Sequence, residues 1–370
     1  MLKKRILLMY ISEVSGHHQA TIAIEKSIRV LASDVEIRNI NGFGYTYPLM
    51  EKIVNKAYMG IIKRTPKVWD YLYDNPKVFK RLQSIKKVIH KSNHSKLARL
   101  FREFKPDVVA CSQAFPCGMV ADYKETYNLD TKIIGILTDY APHSYWLHDG
   151  VDYYVVPSIE TAKRLMQKGV SYDRVKILGI PVDPKFTVKL DKERIAEDLN
   201  LDVHLPTVLI MGGGQGLGPI RKVVKSLLAI ETNLQLIVVA GTNKKLIRWL
   251  KKTQASTRKK IIVYEFINNI EELMEIAALT ITKPGGMTTA EALVKGLPMV
   301  IIKPLPGQEM HNTDFLLQKG VAIRVNRFDS AGREVEALLT SPVRLSKMRR
   351  SAFDSGKPNS SFDIARLILE

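Results

Sequence analysis

Thr282-Lys283-Pro284-Gly285-Gly286-Met287-Thr288-Thr289-Ala290-Glu291 is the stretch around which this chain is organised. Leu279, Thr280 and Ile281 before it predict a short strand, the Pro-Gly-Gly a turn, and the two threonines the opening of a helix over 288–294. A helix start presents unpaired backbone N–H groups and the positive end of the helix dipole, so it draws an anion. Glycines let the anion approach, and a threonine hydroxyl adds a donor. Glu291, three residues after Thr288, is placed to accept hydrogen bonds from a ribose diol. The same spacing also fits a reciprocal helix cap, in which Thr288 and Glu291 satisfy each other's backbone. The motif alone admits both readings.

A second glycine-rich turn bears on that choice. Thr207–Met211 reads as a buried strand and is followed directly by Gly212, Gly213, Gly214, Gln215, Gly216, Leu217 and Gly218. Pro219 and the run Ile220–Leu228 then read as a helix. Strand, glycine turn and helix is the nucleotide-binding crossover. The spacing is not the dinucleotide fingerprint, because Glu231-Thr232-Asn233 stands as a loop where a ribose acid would fall. There is no Gly-Lys-Ser/Thr either. Two such turns in one half of the chain suggest a nucleotide sugar rather than a triphosphate.

Strand candidates alternate with helical stretches along the whole chain: around residues 6–9, 35–37, 108–110, 133–137, 154–156 and 176–178, then 208–211, 236–239, 261–264, 279–281, 299–302 and 322–324. This is βα alternation occurring twice, hence an α/β fold of two Rossmann-like domains with parallel sheets facing a central cleft, where ligands bind at strand ends. The turn-rich Gly179-Ile180-Pro181-Val182-Asp183-Pro184 places the boundary near residue 180. The expected organisation is a domain over 1–180, a second over 181–345, and a helical segment over 346–370 that packs back on the first.

The 370 residues, 45% apolar and 25% charged, have room for two ordinary cores. The apolar run 6–11 is too short for a signal peptide, and no stretch approaches the roughly 18 uncharged residues of a membrane span. Cys111 and Cys117, the only cysteines, have no metal-ligand companions and read as buried thiols of a reducing cytosol. His90 and His94 have helical ligand spacing but stand in a Lys-rich stretch, which reads as a solvated face; no metal site is expected.

The net charge of +19 is concentrated: residues 51–105 hold 15 Lys and Arg against four acids, a net +11. Ile53, Val54, Ala57, Tyr58, Ile61 and Ile62 form a helical apolar stripe, Trp69 and its aromatic neighbours follow, and a basic helix carrying Lys86 and Lys87 completes the segment. Basic helices with interfacial aromatics suit an anionic membrane surface. A core-facing stripe with a solvated basic back is the alternative. Nucleic acid is not an expected partner, because no recognition module is visible.

Gly16 and His17 fall at the turn between the first strand and its helix, on the cleft side. A histidine there suits a general base, its ordinary pKa lying near 6.5. His18 points elsewhere. Helix-start histidines also serve as caps or packing residues.

Taken together, Gly16-His17, Leu137-Thr138-Asp139-Tyr140 with Trp146, Gly179-Ile180-Pro181-Val182, Gly212–Gly218, Lys283–Glu291 and Pro306-Gly307-Gln308-Glu309 with Asn312 resemble the inverting GT-B glycosyltransferases of the MurG and monogalactosyldiacylglycerol synthase superfamily, in particular the diacylglycerol sugar transferases. The resemblance spans nearly the whole chain. It departs at the first loop, Val14-Ser15-Gly16-His17-His18, and after Asp139.

The resemblance implies a UDP-sugar donor in the second domain, a lipid acceptor in the first, and one inverting displacement without cofactor or obligatory metal. Gly213, Gly214, Gly286 and Thr288 would hold the diphosphate, and Glu291 the ribose. Phe266 and Ile267 would read uracil, and Gln308 and Glu309 the sugar hydroxyls, with Asn312 supporting them. His17 would deprotonate the acceptor, Asp139 being a second candidate, and Glu13 would contact a lipid head group. Tyr58, Ile61, Ile62, Trp69, Lys86 and Lys87 would meet the membrane. The expected protein is a hexosyltransferase on the cytoplasmic face of the cell membrane, peripherally attached, acting on a diacylglycerol-type lipid. The rival readings are UDP-GlcNAc transfer to a polyprenyl-linked acceptor, a UDP-sugar 2-epimerase, and a nonenzymatic binder.

Overall fold

The computed structural model describes residues 3–13, 15–46 and 96–370. The chain divides into two compact units. The first runs to Pro184 and takes in Pro306–His311 and Lys357–Glu370; the second comprises Lys185–Leu305 and Asn312–Gly356.

The first unit holds six parallel strands: β1 (Lys4–Tyr10), β2 (Val35–Asn41), β3 (Val108–Cys111), β4 (Lys132–Ile136), β5 (Tyr153–Val155) and β6 (Val175–Lys176), in the order β2-β1-β3-β4-β5-β6. β1 from Ile6 onward and all of β3 are apolar and buried on both faces, as a parallel sheet covered by helices requires. β2, at the edge, alternates in burial.

One face of β1 packs under the helix Gly16–Leu31, where Ile24 and Ile28 meet Ile364, Ala365 and Ile368 of the helix Ser360–Leu369. Lys4 Nζ donates to the Leu369 carbonyl at 2.6 Å, and the Val182 amide donates to Ser360 Oγ at 3.1 Å. Gly179 has φ +98°, and a Cβ there would lie 2.6 Å from the Lys357 side chain, so this close approach of the chain's last segment requires glycine.

The second unit repeats the plan with β7 (Thr207–Met211), β8 (Gln235–Val239), β9 (Ile261–Tyr264), β10 (Leu279–Thr282), β11 (Met299–Ile302) and β12 (Ala322–Val325), all parallel, in the order β12-β11-β10-β7-β8-β9. Its core joins Val208, Ile210, Leu236, Val238, Ile281 and Val300 to the apolar faces of the flanking helices.

Three expectations about the division change. The first unit extends to Pro184, beyond residue 180, and the last segment splits at Gly356. The helix Pro342–Ser355 belongs to the second unit: Met348 enters its core, and Arg349 donates to the carbonyl of Ala278 at 3.2 Å. Only the helix beyond the Gly356-Lys357-Pro358 break packs on the first. Pro306–His311, and with it Gln308 and Glu309, groups with the first unit rather than with the donor-binding domain expected from sequence.

Cys111 and Cys117 are both buried and free, and burial pushes the Cys111 thiol well up from its ordinary value. Among the described residues no helix is long and apolar enough to cross a membrane.

Candidate active site

In the first sheet the chain leaves β1 for β2 on one side and comes back to β3 on the other. Such a reversal opens a crevice beyond the carboxyl ends of the two strands. His17 stands there, in the first turn of the helix after β1, and Ser112 follows β3 directly. Ser15 caps the helix by accepting from the His18 amide at 3.2 Å, while its hydroxyl lies 2.7 Å from the carbonyls of both Ile11 and Ser12. Ser12, at φ +65°, lets the chain turn this sharply.

His17 Nδ1 lies 2.9 Å from the Ser112 carbonyl oxygen and 3.1 Å from Thr138 Oγ1, beyond β4. A carbonyl only accepts, so Nδ1 carries the proton and Nε2 keeps the lone pair. The Ser112 hydroxyl in turn donates to the His17 carbonyl at 2.9 Å. Burial lowers the His17 pKa below the ordinary imidazole value, and the bond to Ser112 opposes that shift without reversing it. The ring is therefore neutral at pH 7, with a basic nitrogen held in a set orientation.

His18 does something else. It stacks on Tyr10, ring centroids 4.1 Å apart, and its Nδ1 lies 2.9 Å from the Glu13 carbonyl. Glu13 is exposed and accepts from the Tyr10 hydroxyl at 2.6 Å. Asp139 follows Thr138 directly and is partly exposed. Tyr58, Ile61, Ile62, Trp69, Lys86 and Lys87 lie outside the described residues.

The second sheet reverses between β7 and β10, which pair directly, so the glycine loop after β7 and the Pro-Gly-Gly turn after β10 flank one crevice. The helix after β10 begins at Gly286, two residues earlier than the sequence spacing suggested. The Gly285 amide donates to the Lys283 carbonyl at 2.9 Å, and the Thr289 amide makes the first helical bond, to the Gly285 carbonyl, at 2.9 Å. Gly285 is thus the N-cap, and no side chain caps it. Thr288 sits inside the first turn, which removes the reciprocal cap with Glu291. The first amides of this helix have no side-chain cap, and Glu291 lies on the Thr288 face one turn further in.

Around the glycine loop the roles divide. Gly212, Gly216 and Gly241 are demanded by packing: a Cβ on Gly216 would lie 2.0 Å from the Ala240 carbonyl oxygen. The Thr242 amide donates to the Gly214 carbonyl at 3.0 Å, and Asn243 Nδ2 to the Gly216 carbonyl at 3.0 Å, so the turn after β8 holds the loop. Gly213 and Gly214 are exposed, and a Cβ on Gly213 would meet nothing within 4 Å.

Phe266, 60% exposed, and Ile267 follow β9, two strands from β7 and so roughly 10 Å along the sheet. Gln308 is partly exposed and Glu309 buried, at the start of the helix Gln308–Gln318. Asn312 is fully buried and donates Nδ2 to the Pro284 carbonyl at 2.9 Å. That bond supports the Pro-Gly-Gly turn. Asn312→Ala is expected to leave that carbonyl unpaired at about 1–3 kcal/mol. Urea unfolding and nucleotide calorimetry would register a loss in both stability and donor affinity. Unchanged nucleotide affinity would separate Asn312 from the site.

Sequence reasoning gave no role to Ser112, Thr138, Thr242 or Asn243. Ser112, Thr138 and the Gly241-Thr242-Asn243 turn are marked by their places after β3, β4 and β8, but Ser112 acts on His17 through its backbone carbonyl, which its residue type does not signal.

The profile of the monogalactosyldiacylglycerol (MGDG) synthase family matches residues 17–182, and that of the glycosyltransferase family 28 C-terminal domain matches residues 207–359. A processive diacylglycerol β-glucosyltransferase of Bacillus subtilis (strain 168) is 30% identical over 99% of this chain and 95% of its own length. The chain belongs to the MurG and monogalactosyldiacylglycerol synthase superfamily of GT-B glycosyltransferases.

Among solved structures, Acinetobacter baumannii MurG superposes on this glycosyltransferase with a TM-score of 0.68 at 16% identity, covering 99% of each chain. The UDP-GlcNAc 2-epimerase of Neisseria meningitidis, bound to UDP-GlcNAc, does so with a TM-score of 0.65 at 13% identity, again covering 99% of each. Both carry the GT-B fold, which therefore does not by itself separate a transferase from an epimerase. The sequence family does. Among the described residues no cluster of three or more His, Cys, Asp or Glu side chains is placed to hold a metal ion.

Proposed function

We propose that this glycosyltransferase moves a hexose from a UDP-sugar to the free hydroxyl of a diacylglycerol-type lipid, with inversion, at the cytoplasmic face of a membrane. The near full-length similarity to a processive diacylglycerol β-glucosyltransferase carries the reading. The acceptor hydroxyl gives its proton to His17 Nε2 as its oxygen attacks the anomeric carbon, the bond from that carbon to the diphosphate oxygen breaks, and UDP leaves. Charge developing on the leaving oxygen is taken up by the amides at the Gly286 helix start and the Thr288 hydroxyl, in place of an obligatory divalent cation. Gly213 and Gly214 cradle the diphosphate, Glu291 the ribose, and the backbone at Phe266 and Ile267 the base. Gln308 and Glu309 select the sugar, Asp139 orients the acceptor, and Glu13 meets its head group.

The test is a panel of radiolabelled UDP-hexoses with diacylglycerol vesicles, with and without EDTA, followed by product identification. A β-linked glycosyldiacylglycerol formed equally in both is the expected result. Label found only on a polyprenyl-linked acceptor, or only in an epimerised nucleotide sugar, would replace the reading.

A further inference from the structure

Between Glu231 and Glu265 the chain carries eight lysines and arginines and no acid. Lys259 and Lys260 turn inward: Lys259 Nζ donates to the Leu227 carbonyl at 3.1 Å, and Lys260 Nζ to the Asn200 carbonyl. The others project from the helix Lys244–Gln254 and the turn after it. At 100° per residue, Lys244, Lys245, Arg248, Lys251 and Lys252 emerge within an arc of about 120°. Leu246, Ile247 and Leu250 occupy the opposite side and enter the core. All five cations are exposed, as is Arg258 beyond the helix end.

A solvated cationic helix ordinarily interleaves acids at three or four residues' spacing. This one has none, and among the described residues no carboxylate from a neighbouring element pairs with any of the five. Arg221, from the helix Ile220–Leu228, extends the charge: its guanidinium lies 5.6 Å from the centre of the Trp249 ring, and it donates to the Lys245 carbonyl at 2.9 Å. Half-buried Trp249 thus borders the cationic face.

We infer that this face of the second unit docks on an anionic bilayer surface, independently of the basic segment 51–105. The occupant follows from charge complementarity and from the proposed lipid acceptor, on which the inference rests. A cationic helix face that carries no acid and is bordered by one amphipathic indole suits a plane of phosphate head groups, and a single indole is not an array of platforms for stacking bases.

The experiment uses the full chain, vesicles containing phosphatidylglycerol, and neither donor nor diacylglycerol, so sugar transfer plays no part in the readout. Each Lys or Arg near an anionic leaflet contributes roughly fivefold in partitioning. K245Q/R248Q/K251Q/K252Q should therefore bind at least about thirtyfold more weakly than wild type, even allowing for incomplete additivity. UDP affinity should stay unchanged, which also shows that the variant folds. R333Q/R344Q/K347Q/R350Q removes the same charge from other exposed positions of the second unit and should bind nearly as wild type does.

Equal loss in both variants would reduce the effect to net charge and overturn the inference. So would wild-type binding by the first variant, or a loss confined to binding of duplex DNA. Failure to glycosylate any lipid, with vesicle binding intact and lost only in the first variant, would sink the proposed function and leave the docking face standing.

Discussion

His17→Ala is expected to lower kcat by about 10²–10⁴-fold while the chain still folds and still binds UDP. The size follows from what is removed. Nε2 is the one ring nitrogen with a lone pair, because the Ser112 carbonyl holds the proton on Nδ1. Folding should lose about 1–3 kcal/mol, because the buried Ser112 carbonyl is left without that donor. The UDP site proposed here is built from residues of the second unit, so calorimetry of UDP should be close to wild type.

The pH profile adds a readout that a structural role would not reproduce. Burial lowers the His17 pKa below 6.5, so the neutral base persists at neutral pH and is protonated only as the pH falls through that lowered value. The kcat/KM of the wild type should be level above pH 6.5 and decline on the acid side with a midpoint below it. A decline centred well above 6.5, or an alanine variant retaining most of its turnover, would remove His17 from the base role.

Gly216→Ala is expected to cost on the order of 3 kcal/mol in stability: 1–2 for a side chain in left-handed backbone, and the rest for overpacking. At φ +55° the new methyl would stand 2.0 Å from the Ala240 carbonyl oxygen, and that oxygen belongs to the turn that braces the glycine loop. Gly213→Ala is the informative partner. Its φ is +67°, yet a Cβ there faces open space, so the backbone term of about 1 kcal/mol is all that folding should lose. If Gly213 faces a diphosphate, its methyl stands in the ligand's place, and UDP affinity should fall by about tenfold or more, equivalent to at least 1.4 kcal/mol. Chemical denaturation separates the first effect and calorimetry the second. A Gly213→Ala variant that binds UDP as wild type does would deny the loop its role as a phosphate cradle.

Much of the site was visible in local patterns. The glycine turns after β7 and β10 stand where the spacing of strand, glycine and helix put them, and His17 falls at the first strand-to-helix turn. The helix after β10 starts two residues before the position the sequence predicts, because Thr288 and Glu291 make a plausible cap on their own. Only the bond from the Thr289 amide to the Gly285 carbonyl decides against it. Asn312 reads from sequence as a support for Gln308 and Glu309; only its burial and its bond to the Pro284 carbonyl show that it also braces the Pro-Gly-Gly turn.

By itself, the order of residues determined two βα series, two glycine-rich helix openings and the concentration of positive charge. Each is a matter of spacing between near neighbours, which a chain expresses wherever it folds. Tertiary structure alone decided which imidazole nitrogen is basic, which glycines are packed and which are free, and where the last two helices belong. Those depend on partners far apart in the chain, such as Ser112 for His17 and Ala240 for Gly216. Ser112 meets His17 because the first sheet reverses its strand order between β1 and β3, while Ala240 meets Gly216 because β7 and β8 lie side by side. That reversal is set by the burial of whole strands against whole helices, and no short run of residues encodes it.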